Sequence, residues 1–216
     1  MSPRASRTMA GLIAALALIA GCRQILSIEE RELDPLSCEA YCERIEHDCT
    51  AGRRQFSSVQ ACMGLCSVYP LGTLEDKTGH TLACRINALE AAEGAIEDSD
   101  CAEAGPGGNG VCGDLCESFC TTAFKVCPQT FEGVMECKTA CADLITCGLY
   151  SVDPDVTPND PSLNCRLYHV SAAAINLLSA EGGTLTDSQL KHCPHAAGEM
   201  MTCEFVDPPD PASQCP

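Results

Sequence analysis

The chain has no tryptophan among its 216 residues, and Phe and Tyr together bring aromatics to only 4%. So few large side chains make a thin core, and small exported domains offset a thin core with cross-links. Basic residues are also scarce: 13 Lys and Arg stand against 30 Asp and Glu, a formal charge of −17. A surface of that sign repels nucleic acid, which excludes nucleic-acid binding. No Cys-x2-Cys occurs anywhere, which removes the usual thioredoxin-like, haem-attachment and zinc-ribbon readings. No Gly-x-Ser-x-Gly is present, and the glycine-rich stretch Gly105–Gly110 has no Lys-Ser/Thr after it. That stretch reads as a turn and not as a phosphate cradle. Period-two alternation and β-branched runs are rare, so the β signal is poor. The expected fold is all-α.

What the chain has in abundance is cysteine, 19 in all. A load of that size is kept as disulfides only in an oxidising compartment, the periplasm or the cell surface. The N-terminus agrees. Arg4 and Arg7 precede the apolar run Met9–Ala20. That run is shorter than the roughly 20 residues that span a bilayer, so residues 1–21 read as a cleaved signal peptide. Leu18-Ile19-Ala20-Gly21-Cys22 resembles the lipobox of bacterial lipoproteins, with Ile19 where Leu is usual. The resemblance implies cleavage before Cys22, acylation of Cys22 and attachment to a membrane by acyl chains. Arg23, in place of an Asp, implies by the same resemblance the outer membrane. The alternative is an ordinary signal with Cys22 in a disulfide. Setting Cys22 aside leaves 18 cysteines, an even set. Loss of Arg4 and Arg7 with the signal takes the mature chain to a charge of −19. Residues 22–37 read as the lipidated cysteine and a tether.

The remainder repeats. Cys38-x3-Cys42-x6-Cys49 recurs as Cys116-x3-Cys120-x6-Cys127, and Cys62-x3-Cys66 as Cys137-x3-Cys141. Cys84-Arg85 recurs as Cys165-Arg166, and Cys101 with Cys112 as Cys193 with Cys203. Tyr41 matches Phe119, Phe56 matches Phe131, and Val59 matches Val134. Eight cysteines in one order, with apolar positions in step, mark an internal repeat. Repeat 1 spans 38–112, repeat 2 spans 116–203, and a Pro-rich tail covers 204–216. Only Gly113, Asp114 and Leu115 separate the repeats, so the two should pack together.

The spacing is helical: Cys38, Cys42 and Cys49 fall within about 40° of one another around a helix. Phe56, Val59, Cys62 and Cys66 form a second stripe, with Ser57 and Gln60 suited to a capping box. A third helix is expected over about 81–96, and over 163–179 in repeat 2. The expectation is two tandem disulfide-stapled helical-hairpin units of about three helices each, with irregular loops. Antiparallel helices pair the first cysteine of one with the last of the other. That gives Cys38–Cys66, Cys42–Cys62, Cys116–Cys141 and Cys120–Cys137. Cys49 is then expected to reach Cys84, and Cys127 to reach Cys165. Cys101–Cys112 and Cys193–Cys203 would close local loops, and Cys147–Cys215 would tie down the tail. Eight cysteines allow on the order of a hundred pairings per unit, so only the hairpin bridges have a geometric argument. The mature chain also resembles cysteine-rich predicted lipoproteins of Gram-negative bacteria that repeat this frame and have no assigned activity.

Candidate chemistry is sparse, and no catalytic residue or cofactor is expected. His169 lies one helical turn past Cys165, and His192 and His195 flank Cys193. If helix three packs on that loop, the three imidazoles converge on a zinc or copper ion, and a metal-dependent enzyme becomes the alternative reading. The other reading is surface histidines on a solvated loop. Repeat 1 has Ala88, Asp100 and Glu103 at those positions. Asp153, Asp155, Asn159 and Asp160 offer oxygens but lack the spacing of a calcium loop. Arg85 and Arg166 read as structural, each paired with an acid on helix one. The leading expectation is a non-catalytic binding module whose partner is a protein or envelope component. A purely structural envelope protein is the remaining alternative.

Overall fold

Polar caps start most of the helices. In the computed structural model, which describes residues 34–91, 95–144, 148–153, 162–180, 184–198 and 203, Ser37 Oγ accepts from the Ala40 amide at the head of α1 (Cys38–Asp48). Ser58, and not Ser57, caps α2 (Val59–Cys66), accepting from the Ala61 amide. Thr81 Oγ1 accepts from the Cys84 amide at the start of α3 (Leu82–Ala91). The carboxylate of Asp100 accepts from the Glu97 amide at the start of α4 (Asp98–Ala104). The second half repeats this order. Asp114 caps α5 (Leu115–Val126), Gly133 precedes α6 (Val134–Cys141), and Ser162 Oγ caps α7 (Leu163–Ala173). Thr186 and Gln189 form a reciprocal capping box on α8 (Asp187–Ala197). Each cap satisfies amides that the first helical turn cannot pair internally.

The fold is all-α: eight α-helices and three short 3₁₀ turns, with no β-strand among the described residues. Each half therefore holds four helices and not about three. The stretches expected to be closed C-terminal loops are α4 and α8. Pro194 lies inside α8, and the Thr186–Gln189 capping box is the signal that outweighs it. The third helices end earlier than the spacing suggests, α3 at Ala91 and α7 at Ala173. None of the helices formed by the described residues is long and apolar enough to cross a membrane.

Eight disulfides join the sixteen described cysteines, with Cα–Cα distances of 5.5–5.9 Å. Cys38–Cys66 and Cys42–Cys62 clamp α1 to α2, and Cys116–Cys141 and Cys120–Cys137 clamp α5 to α6. The other four pairings differ from expectation. Cys49 bridges Cys101 instead of Cys84, and Cys84 bridges Cys112. Cys127 bridges Cys193 instead of Cys165, and Cys165 bridges Cys203. Helix α1 packs against both α3 and α4, and a bridge to Cys101 places the sulfur that Cys49 meets on α4. The same exchange of partners occurs in both halves. Cys22, Cys147, Cys215, the signal, most of the tether and the tail fall outside the described residues.

The core is thin and repeats with the bridges. Tyr41 meets Phe56 edge-on at 6.2 Å, and Phe119 meets Phe131 edge-on at 6.0 Å. Arg85 is fully buried, and its hydrogen-bond partners are backbone carbonyls and the His80 ring, not an acid on α1. It donates to Gly105 O at 2.5 Å, at the C-terminal end of α4, and lies 4.4 Å from the centre of the Tyr69 ring. Arg166 does the equivalent in the second half, donating to Ala197 O at 2.7 Å. A guanidinium at a helix C-terminus meets the unpaired carbonyls and the negative end of the helix dipole together.

The described residues of both halves belong to one compact unit. Val152 N donates to Arg54 O at 2.7 Å, and the buried Gln55 side chain donates to Tyr150 O at 2.9 Å. Helix α2 meets the end of α7 at Gly64, where a Cβ would lie 1.9 Å from Ala174 O. The three-residue joint opens on Gly113, with φ +113° and no room for a Cβ beside Ser118 Oγ.

Two outcomes are expected. Non-reducing peptide mapping yields Cys49–Cys101, Cys84–Cys112, Cys127–Cys193 and Cys165–Cys203; recovery of Cys49–Cys84 would overturn the helix arrangement. Gly64→Ala forces α2 off Ala174 and lowers stability by about 1–3 kcal/mol in denaturant unfolding. Gly52→Ala, in open space, changes it far less.

Candidate functional site

Helices α7 and α8 lie side by side and bring the three expected histidines together. His169 sits one turn past Cys165 on α7, so the disulfide to Cys203 fixes its surroundings. His192 and His195 are three residues apart on α8 and share a face. That helix is held to α5 by the Cys127–Cys193 bridge and by the Gln189 side chain, which donates to Val126 O. Arg166 fastens its C-terminal end. The scaffold is therefore pinned on three sides before the imidazoles meet.

His169 Nδ1 and His192 Nδ1 lie 2.9 Å apart. The ring centre of His169 is 5.2 Å from that of His192 and 4.9 Å from that of His195, and the last two are 6.5 Å apart. His169 is buried, while His192 and His195 are half-buried. Burial, with smaller contributions from Lys191 and His195, pushes the His192 pKa down to about 4, which leaves its imidazole neutral at neutral pH. His195 Nδ1 is buried without a hydrogen-bond partner among the described residues. As placed, the three imidazoles do not bring one nitrogen each within 4.8 Å of the others, whereas Cys165, His169 and Cys203 do place potential ligand atoms that close. Both sulfurs are consumed by the disulfide, so that trio offers no thiolate.

The corresponding place in the first half carries none of this. Ala88 has no donor, Asp100 is spent on the cap of α4, and Glu103 borders a surface pocket with Lys77, Asn87 and Glu90. Burial, and then Asp100, raises the pKa of Glu103. Of the candidate calcium oxygens, only Asp153 lies among the described residues.

A second polar cluster was not legible in the sequence. His80 Nδ1 lies 3.2 Å from Ser118 Oγ, across the joint between the halves, and 3.0 Å from a guanidinium nitrogen of Arg85. A serine beside a histidine has the makings of a nucleophile and its base. Here Ser118 is wholly buried and packed against Gly108 and Gly113, so no substrate carbonyl can approach Oγ. The cluster joins the halves. The Tyr69 ring meets His80 edge-on at 5.4 Å. Burial foremost, then the positive charges of Arg85, Lys125 and Lys138, pushes the His80 pKa from 6.5 down to about 3.

That depression has a measurable sign. The unfolded chain takes up a proton on His80 near pH 6.5 and the folded chain only near about 3. Stability associated with neutral His80 is thus complete above pH 6.5 and is lost as pH falls through the window to about 3, at up to about 1.4 kcal/mol per pH unit. Guanidinium unfolding of the disulfide-intact protein, compared with His80→Gln across that window, should show the variant losing less stability. Parallel curves would mean that His80 titrates alike in the folded and unfolded chain.

Compared with known proteins, the chain matches no protein-family model, no curated protein and no solved structure.

Proposed function

We propose that this chain is a lipid-anchored protein of the bacterial envelope, cleaved before Cys22, acylated there and held at the outer membrane. Its helical part acts as a non-catalytic binding module for a protein or envelope component. The observation that carries the reading is the state of its cysteines: the sixteen described ones form eight disulfides, an arrangement that belongs to an oxidising compartment. The signal-like N-terminus and the lipobox resemblance support export and anchoring. Two or more acyl chains, at about 0.8 kcal/mol per buried methylene, anchor a protein stably without a spanning helix.

Support for binding over catalysis comes from the interior. The serine–histidine pair is sealed, and the described thiols are bridged. Every described helix carries at least one bridge, and α1 and α5, with the cysteine that ends each, carry three, so the surface is preorganised, which reduces the entropy lost when a partner docks. The acidic surface favours partners that carry basic groups and makes their association sensitive to salt.

Expressed in a Gram-negative host, the wild-type chain should sediment with outer-membrane fractions and carry acyl mass on Cys22. Cys22→Ser should move to the soluble fraction with its disulfide map unchanged. An unacylated wild-type Cys22 would refute the anchor. Cross-linking in intact cells should capture an envelope partner whose yield falls as salt rises. A chain that cross-links to nothing would favour a structural spacer.

A further inference from the structure

We propose that His169, His192 and His195 form a site for one divalent transition-metal ion of the zinc–copper class, bound through imidazole nitrogens with a coordination position left for water. The inference does not depend on what the module binds. It rests on how the rings are placed. Three imidazoles on a tetrahedral ion, with metal–nitrogen bonds of about 2.0–2.1 Å, have ring centres about 5 Å apart. His169 already stands at 5.2 Å from His192 and 4.9 Å from His195. The remaining pair stands at 6.5 Å, so binding requires the half-buried His195 to turn toward the other two rings, while the contact between His192 and the buried His169 supplies the fixed point.

Two further features point to a cation. His169 Nδ1 and His192 Nδ1 face each other at 2.9 Å, so a small separation to the roughly 3.3 Å of two nitrogens on a tetrahedral ion would admit one between them. The buried Nδ1 of His195 has no hydrogen-bond partner among the described residues, an arrangement a folded interior seldom leaves in place without reason. The donor set selects the ion. Imidazole suits zinc, copper and nickel, whereas calcium and magnesium require oxygens. Lys191 beside His192 opposes any ion held by charge alone, which again favours coordination. The neighbouring sulfurs of Cys165 and Cys203 are bridged, so the site does not need reduced thiols.

The first half supplies an internal control, because Ala88, Asp100 and Glu103 stand at the same positions on α3 and α4. One ion per chain is therefore expected, not two.

The test uses the mature, exported chain with disulfides intact, stripped with a chelator and titrated with CuCl₂ and with ZnCl₂ in excess Mg²⁺. Calorimetry should give a stoichiometry of one, and the Cu(II) paramagnetic resonance spectrum should show nitrogen hyperfine structure. Loss of an outer-shell partner costs about 10–100-fold in metal affinity, so His192→Ala and His195→Ala should each weaken binding by at least about tenfold. Both variants should keep the wild-type disulfide map and helical signal. His47→Ala, on an exposed histidine of α1, should bind as wild type. Failure to bind either ion would overturn the proposal and leave an N–H···N hydrogen bond between His169 and His192. Binding undiminished in both variants would overturn it equally.

Discussion

Cross-linking between helices is the constraint on which the rest of this structure depends. With nine aromatic residues and no tryptophan, the chain cannot bury enough large apolar surface to hold short helices together by packing alone. Helices of seven to twelve residues are marginal in water. The bridges compensate by removing freedom from the unfolded chain, each closing between 17 and 66 residues and contributing about 2–4 kcal/mol. They also determine where the protein can exist, since the same cysteines in a reducing compartment would leave the helices unclamped.

A thin core leaves polar groups to do work that apolar side chains do elsewhere. Arg85 and Arg166 fill space between helices and collect the carbonyls at the ends of α4 and α8. A buried guanidinium without a carboxylate would ordinarily be costly. Here several oriented carbonyls replace its hydration, and in the first half the Tyr69 face does so as well. His80 and Ser118 extend that arrangement across the joint, so the contact between halves is partly a hydrogen-bonded network and partly the close approach at Gly64.

The two halves share a frame and differ in what they display on it. Both carry the same order of bridges, the same capping logic and the same arginine. Where the first has a small side chain, a capping carboxylate and a half-exposed Glu103, the second has three imidazoles against a disulfide. A framework fixed by covalent clamps tolerates such divergence, because the side chains on the third and fourth helices are not what hold those helices in place.

Helical class, the two clamped hairpins and the positions from which histidines project are all legible in the order of residues. These are local matters: cysteines four residues apart mark one helix face, and two such helices, close in the chain and bridged first to last, run antiparallel. Tertiary structure alone decided which sulfurs meet across Cys49, Cys84, Cys101 and Cys112, and across their counterparts. That choice depends on where a fourth helix docks, and sequence spacing is silent about contacts between elements far apart in the chain. The same holds for Arg85, most of whose partners are backbone carbonyls that carry no side-chain signature, and for His80 and Ser118, which are 38 residues apart. The histidine cluster stands between the two cases. Its members were visible from their spacing around Cys165 and Cys193, but their convergence required α7 and α8 to pack side by side.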